Sequence, residues 1–288
     1  MVYTIRNDEL TVKISDLGAE LQSLADRDGN EYLWQGDPAF WEGRAPVLFP
    51  LCGRTWENKA SVEGVPCHLG LHGFFHRRLA LAEPISESAI RFIEQSDADT
   101  LSDFPRAFRL TLTYRLDGST LTIHADVENT GEQTLHYAYG GHPGFRLPFA
   151  GGKKEDCFVR FAGDGIRKVR FDSSCRYPVG GTEPIALAGG NTFPVSEEPF
   201  RSGSFFLSGT GEEATLSSHA SDRKIVLRYP DFPYLGLWKV PGAEFLCLEP
   251  WSSMPAYFGK PLELSERKDF FHLPAGETAR HEYQIQIL

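Results

Sequence analysis

The chain is short of the features that mark the commonest function classes. Its five cysteines, Cys52, Cys67, Cys157, Cys175 and Cys247, are odd in number and form no C-x-x-C pair. Neither a disulfide framework nor a zinc-binding cysteine set is signalled, and reduced thiols in a cytoplasmic protein are the expectation. No run of about 18 apolar residues occurs, and the opening M-V-Y-T-I-R-N-D-E-L has no basic region followed by an apolar stretch, so membrane insertion and secretion are not expected. There is no basic run either. With a net charge of -10 and a pI near 5.4, nothing is available to release counterions from phosphates, so nucleic acid and anionic membrane are poor partners. A neutral or small polar partner fits better.

Motifs for nucleophilic, phosphate and dinucleotide chemistry are also missing. The sequence has no G-x-S-x-G elbow, no G-x-x-x-x-G-K-[ST] loop, no H-E-x-x-H, and no G-x-G-x-x-G opening a helix. His72 and His76 are four apart, but G-F-F lies between them with little helical context, so no metal site and no cofactor are expected.

What is present is a period of two. In 108–116, Phe108, Leu110, Leu112, Tyr114 and Leu116 alternate with polar residues, and after Asp117-Gly118 the alternation resumes with Leu121, Ile123, Ala125 and Val127. This predicts an antiparallel hairpin with one buried face. The pattern recurs at 223–229 and 281–287, and E-L-T-V-K-I-S with A-E-L-Q-S-L predicts another hairpin turning at Asp16-Leu17-Gly18. Only 96–103 suggests a helical turn. The 28 glycines and 19 prolines are spread along the whole length, which together with many short strands means a β-sandwich or barrel. Phe149 to Gly190 reads as long loops with one or two strands, and residues 1–288 as a single domain.

Four segments could carry chemistry. In Y-G-G-H-P-G-F, 139–145, glycines let the backbone run close to a bound molecule and Pro143 stiffens the turn, so His142 is either held at a cleft or is a hydrogen-bonded structural residue. R-A-P-V-L-F-P-L-C-G-R, 44–54, is an apolar stretch between Arg44 and Arg54, whose side chains bind a ligand or simply reach solvent. His72 sits in L-H-G-F-F-H-R-R. In F-L-C-L-E-P-W, 245–251, alternation puts Phe245, Cys247 and Glu249 on one face, with Pro250 expected to stop the strand. Glu249 is then either ion-paired, for example to Arg54, or a partly desolvated general base.

With these segments in view the chain resembles the aldose 1-epimerase (galactose mutarotase-like) family, in its shorter, LacX-type branch. The resemblance spans the chain: G-A-E-L-Q-S-L, E-Y-L-W-Q-G-D-P-A-F-W, the 44–54 segment, H-G-F at 72–74, G-G-H-P-G-F at 140–145, P-Y-L-G-L-W at 233–238 and C-L-E-P-W at 247–251. It implies an all-β fold, a large antiparallel β-sandwich whose concave face holds a monosaccharide, and interconversion of α and β anomers without metal or organic cofactor. By position, Glu249 matches the family's general base, His142 its general acid and His72 a second histidine near the ring oxygen. Arg54 falls where the family places a sugar-binding arginine, with Arg44 competing for that role. Trp251, Phe145, Trp34 and Trp41 are either plates for the sugar's C–H face or core residues.

Many members carry an aspartate that binds sugar hydroxyls. Where it is expected, P-F-R-S-G-S-F-F-L at 199–207 has no carboxylate, and Asp164, Asp172 and Asp231 are the candidates to replace it. A hexose-6-phosphate 1-epimerase is the alternative within the same chemistry, with Arg44, Arg54, Arg77 and Arg78 clamping a phosphate. A non-catalytic carbohydrate-binding or sensing protein is the alternative outside it. Either a monomer or a homodimer is compatible with the sequence.

Overall fold

The computed structural model describes all 288 residues, Met1–Leu288. The alternation in 108–128 becomes the strands Arg109–Asp117 and Thr120–Glu128, joined by a two-residue loop in which Gly118 takes φ +51°. Every second side chain is buried, and the register pairs Leu121 with Leu116 and Ile123 with Tyr114 on that face. The C-terminal strand Thr278–Ile287 lies on the other side of Thr120–Glu128. These three strands sit within a nine-stranded sheet that continues through Ser221–Arg228, Glu213–Ser218, Cys157–Phe161 and Thr192–Pro194 at one end, and through Ala89–Gln95 and Leu81–Ser86 at the other. The N-terminal hairpin, Leu10–Ser15 with Leu21–Asp26, forms as expected and is joined by Val2–Arg6.

The second large sheet runs Pro178–Pro184, Arg167–Phe171, Phe205–Ser208, Tyr234–Trp238, Phe245–Trp251, Gly140–Gly141 and Val47–Leu48, with Gly144–Arg146 also pairing to Phe245–Trp251. Pairing between strands is antiparallel except where Leu262–Glu263 runs parallel to Ala60–Val62, and one isolated bridge, Phe49 with Gly73, is parallel as well. The one α-helix, Ala98–Asp103, is capped by Asp97, whose carboxylate accepts from the Thr100 N–H while Thr100 Oγ1 accepts from the Asp97 N–H.

Both large sheets contribute one face to a continuous cluster of 71 buried apolar residues, among them Leu110, Leu112, Ile123 and Ile285 from the first and Leu235, Leu237, Leu246 and Leu248 from the second. The other face of the second sheet is left to line a cleft.

Two expectations need correction. Between Phe149 and Gly190 there are three strands, not one or two. Pro178–Pro184 lacks apolar alternation because it is an exposed edge strand that pairs only with Arg167–Phe171. Pro250 does not stop its strand either. The neighbouring N–H groups of Leu248 and Ser252 donate to Pro143 and Tyr139 O, so the N–H that Pro250 lacks would point into the irregular turn between those carbonyls, where no ladder bond is forfeited.

Candidate active site

The acid and base candidates meet because of strand register. Gly140 pairs with Trp251 and Gly144 with Cys247, and that register, carried through the turn, sets His142 opposite Glu249. Their side chains leave the sheet on the same face, and His142 Nε2 lies 3.2 Å from Glu249 Oε2. On the far side of Glu249 its cross-strand partner is Gly236, whose own partner is Phe206. A Cβ on Gly236 would sit 2.7 Å from the Phe206 ring, so glycine there lets the ring lie beside Glu249.

The glycines flanking His142 serve a purpose other than the expected approach to a ligand. None of Gly140, Gly141 and Gly144 has a positive φ, but a Cβ at each would be 3.0 Å or less from protein atoms: Pro250 O for Gly140, the Tyr283 ring for Gly141, the Trp41 ring for Gly144. They press the His142 turn onto the neighbouring strand Phe245–Trp251, onto Trp41 and onto the opposite sheet.

His72 arrives from a separate loop. It takes φ +61°, and Gly73 beside it takes φ +74°, where a Cβ would collide with Phe49 O at 2.2 Å. The loop is pinned to the 44–54 segment: the His72 N–H donates to Gly53 O, and the Gly53 N–H donates to His72 Nδ1 at 3.1 Å. That second bond fixes the proton of neutral His72 on Nε2, making it a donor. A non-glycine residue held in left-handed backbone at a cleft is strain retained for a local purpose. The His72 ring centroid is 5.5 Å from that of His142 and 5.4 Å from Trp251.

Around this group is a cleft of about 780 Å³. Its walls include Trp41, Trp238, Phe206 and Trp251, the rings of Trp41 and Trp238 standing 5.1 and 5.6 Å from His142. Arg54, Arg77 and Arg176 also line it, none in an ion pair with a carboxylate. Glu20 and Glu42 are there too, Glu20 held by the N–H groups of Arg44 and Ala45 at 2.7 and 3.0 Å. Seven buried side-chain polar atoms in the chain have no hydrogen-bond partner, and four of them belong to cleft residues: His76 Nδ1, His142 Nδ1, Glu249 Oε1 and Trp251 Nε1. Unpaired buried polar atoms are costly, so their concentration here marks where a polar ligand would be held.

Glu249 is 1% exposed and His142 7%. Burial raises the Glu249 carboxyl well above the usual carboxylate range and lowers His142 to about 4, each loss of hydration disfavouring the charged form. Burial, reinforced by neighbouring His142, holds His72 well below its ordinary value, and burial brings His76 to about 4.

The structure brings Glu249, His142, His72, Arg54 and Trp251 together around the cleft. It does not bring Phe145 or Arg44. Phe145 pairs with Leu246 on the core face of the sheet and is fully buried, because cross-strand partners share a face and 145 is out of phase with 142. The Arg44 guanidinium donates to Gln35 O at 2.8 Å, and only its backbone reaches the cleft wall, through Glu20. Arg78 is paired with Glu94 and Asp97, which removes it from any phosphate clamp. Trp34 is a core residue, buried with Phe245 and Cys247. Asp164, Asp172 and Asp231 are not cleft residues. Asp172 instead organises the turn that presents Arg176, accepting from the N–H groups of Ser174, Arg176 and Tyr177.

Sequence reasoning missed Arg176, Glu20 and Glu42, which reach the cleft from turns with no local signal. Phe206 and Trp238 reach it through strand pairing, Phe206 opposite Gly236 and Trp238 opposite Cys247, which alternation along one strand does not give. No helix is long and apolar enough to cross a membrane.

A family model described as aldose 1-epimerase matches residues 1–256. The chain is 30% identical to the chromosomal protein LacX of Lactococcus lactis subsp. lactis, with the whole of both chains covered. Among solved structures it is similar to a galactose mutarotase-like protein from Lactobacillus casei ATCC 334, TM-score 0.93 at 28% identity over all of both chains. It is also similar to a galactose mutarotase related enzyme from Lactobacillus acidophilus, TM-score 0.92 at 26% identity, covering 100% of this chain and 97% of that one. With its antiparallel β-sandwich and its match to the family model, the chain belongs to the aldose 1-epimerase family, isomerases that act on carbohydrates.

Proposed function

We propose that this chain is a sugar 1-epimerase in which Glu249 and His142 exchange protons with an aldose to open and reclose its ring, residues 1–288 acting as a single domain. The observation that carries this reading is the 3.2 Å contact between two buried side chains on the floor of the cleft, each with its second polar atom, His142 Nδ1 and Glu249 Oε1, left without a hydrogen-bond partner.

The pair holds one proton. Burial favours the uncharged arrangement, carboxylic acid and neutral imidazole, and shifting the proton across the contact gives carboxylate and imidazolium without any exchange with solvent. In the second arrangement the Glu249 carboxylate takes the proton of the anomeric hydroxyl as the C1–O5 bond breaks, and His142 gives its proton to O5. An open-chain aldehyde results, and the pair has returned to its uncharged arrangement. Rotation about C1–C2 presents the other carbonyl face. His142 then takes the O5 proton, O5 attacks C1, and Glu249 returns a proton to O1, giving the other anomer. Neutral His72, with its Nε2–H, is placed to donate to the ring oxygen or a neighbouring hydroxyl, and the Trp251 indole N–H to the Glu249 carboxylate.

A second reading, that the substrate is a hexose 6-phosphate, is favoured by Arg54, Arg77 and Arg176, three guanidinium groups in the cleft without a carboxylate partner. Anomer exchange followed by NMR on a panel of aldoses and hexose 6-phosphates, against spontaneous mutarotation, tests both. Acceleration of neutral sugars supports the first reading, acceleration confined to phosphorylated sugars the second. Binding without acceleration of any of them would mean a sugar receptor and overturn the enzymatic reading.

A further inference from the structure

We propose that His142, Cys247 and Glu249 form a binding site for a thiophilic divalent cation such as Zn2+, which switches the site off by occupying its acid and base together. The three side chains offer one donor atom each, and those atoms all lie within 4.8 Å of one another. Strand geometry fixes them. Cys247 and Glu249 are two apart on the same face of one strand, His142 is opposite Glu249, and the pairing of Gly144 with Cys247 closes the set.

Bond lengths of about 2.0 Å to nitrogen and oxygen and 2.3 Å to sulfur put tetrahedral donor atoms roughly 3.3–3.6 Å apart. The His142–Glu249 separation of 3.2 Å already matches, and the longer separations, none above 4.8 Å, need a contraction of at most about 1.3 Å. Three protein ligands with the fourth position facing a cleft is the arrangement of an open zinc site. The charges also suit the location. A thiolate and a carboxylate cancel a divalent cation, so a site with all three residues buried gains no net charge when the metal enters and both protons leave. His142 Nδ1 has no hydrogen-bond partner. Strong zinc sites orient their histidines through that second nitrogen, so this one is suited to an exchangeable, inhibitory ion rather than a resident one.

The test is titration of the protein with Co2+ in the absence of sugar, read by the near-ultraviolet thiolate-to-cobalt absorption band, with Zn2+ then added to displace it. Cys175, the half-buried thiol on the cleft wall, is the rival ligand. Wild type and Cys175→Ser are expected to give the band at one equivalent, and Cys247→Ser to lose it. No band in wild type at saturating Co2+, or a band that survives in Cys247→Ser, overturns the proposal. Should Cys247→Ser fail to fold, X-ray absorption on Zn2+-loaded Cys175→Ser decides: one sulfur among nitrogen and oxygen neighbours supports the site, nitrogen and oxygen alone overturn it. Because metal binding is read without sugar, its failure and the failure of the epimerase reading remain distinguishable.

Discussion

Gly141, next to the candidate acid, lies against the ring of Tyr283 from the opposite sheet, so closely that a Cβ at position 141 would be 2.9 Å from Tyr283 Cζ. The turn carrying His142 is therefore set from below by the core as well as from the side by Glu249. Gly141→Ala must push one of the two sheets away. It is expected to cost about 1–3 kcal/mol, read as a lower urea midpoint with an unchanged slope, and to slow anomer exchange. An alanine variant as stable and as active as wild type would mean that the turn is free to move.

His72 combines a left-handed backbone with a hydrogen-bond donor, and two substitutions separate these roles. Asparagine tolerates φ near +60° but is too short to bring an N–H to where His72 Nε2 stands, so His72→Asn is expected to keep wild-type stability while losing about ten- to hundredfold in kcat/KM. Valine suits neither role, and His72→Val is expected to cost a further ~1–2 kcal/mol of stability. Equal thermal midpoints for the two variants would contradict the assignment of backbone strain.

Much of this could be read from the sequence, and what could not has a common cause. Period-two alternation located the central hairpin at 109–128 and put Glu249 on the same face as Cys247, since that information is local. The separation of Phe145 from His142 could not be read, because it depends on which strand residue each one pairs with. Arg176 and Glu20 reach the cleft only through the path of distant turns. The glycines around His142 were legible as a signal of close approach, but not that the approached surface is Tyr283 and Pro250 rather than a sugar.

Stability should depend on pH through buried histidines. His281, whose Nε2 pairs with the Tyr137 hydroxyl at 2.9 Å, is lowered to about 4 by burial, as are His76 and His142. A histidine whose folded pKa lies below its unfolded value of about 6.5 binds its proton more readily in the unfolded chain. The part of stability set by these rings then rises with pH between about 4 and 6.5 and is progressively lost on acidification through that window, the raised Glu249 carboxyl offsetting about one of the three above its unfolded value. Urea midpoints at pH 7, 5.5 and 4.5 should fall in that order, and His281→Gln should reduce the slope. A flat profile across this range contradicts the burial of these rings.

The cleft arginines make a separable prediction for the phosphorylated-substrate reading. The double variant Arg77→Gln/Arg176→Gln removes two guanidinium groups without a carboxylate partner from side chains exposed at the cleft, that of Arg77 donating to Gly73 O at 3.1 Å. It is expected to raise KM for an accepted hexose 6-phosphate by at least about tenfold, at about 1.5–3 kcal/mol per charged hydrogen bond lost. The corresponding unphosphorylated sugar should change little. Equal effects on both sugars would mean that the arginines do not read a phosphate.

The central claim is that Glu249 and His142 act as one proton-sharing unit. Anomer exchange measured by NMR in wild type, Glu249→Gln, His142→Asn and the double variant, all verified as folded, tests it most directly. Each single substitution should lose at least about a hundredfold, and the double variant should be no worse than the poorer single one, because removing either partner already breaks the unit. Retention of near wild-type exchange by either single variant, or losses that multiply in the double, would contradict the account.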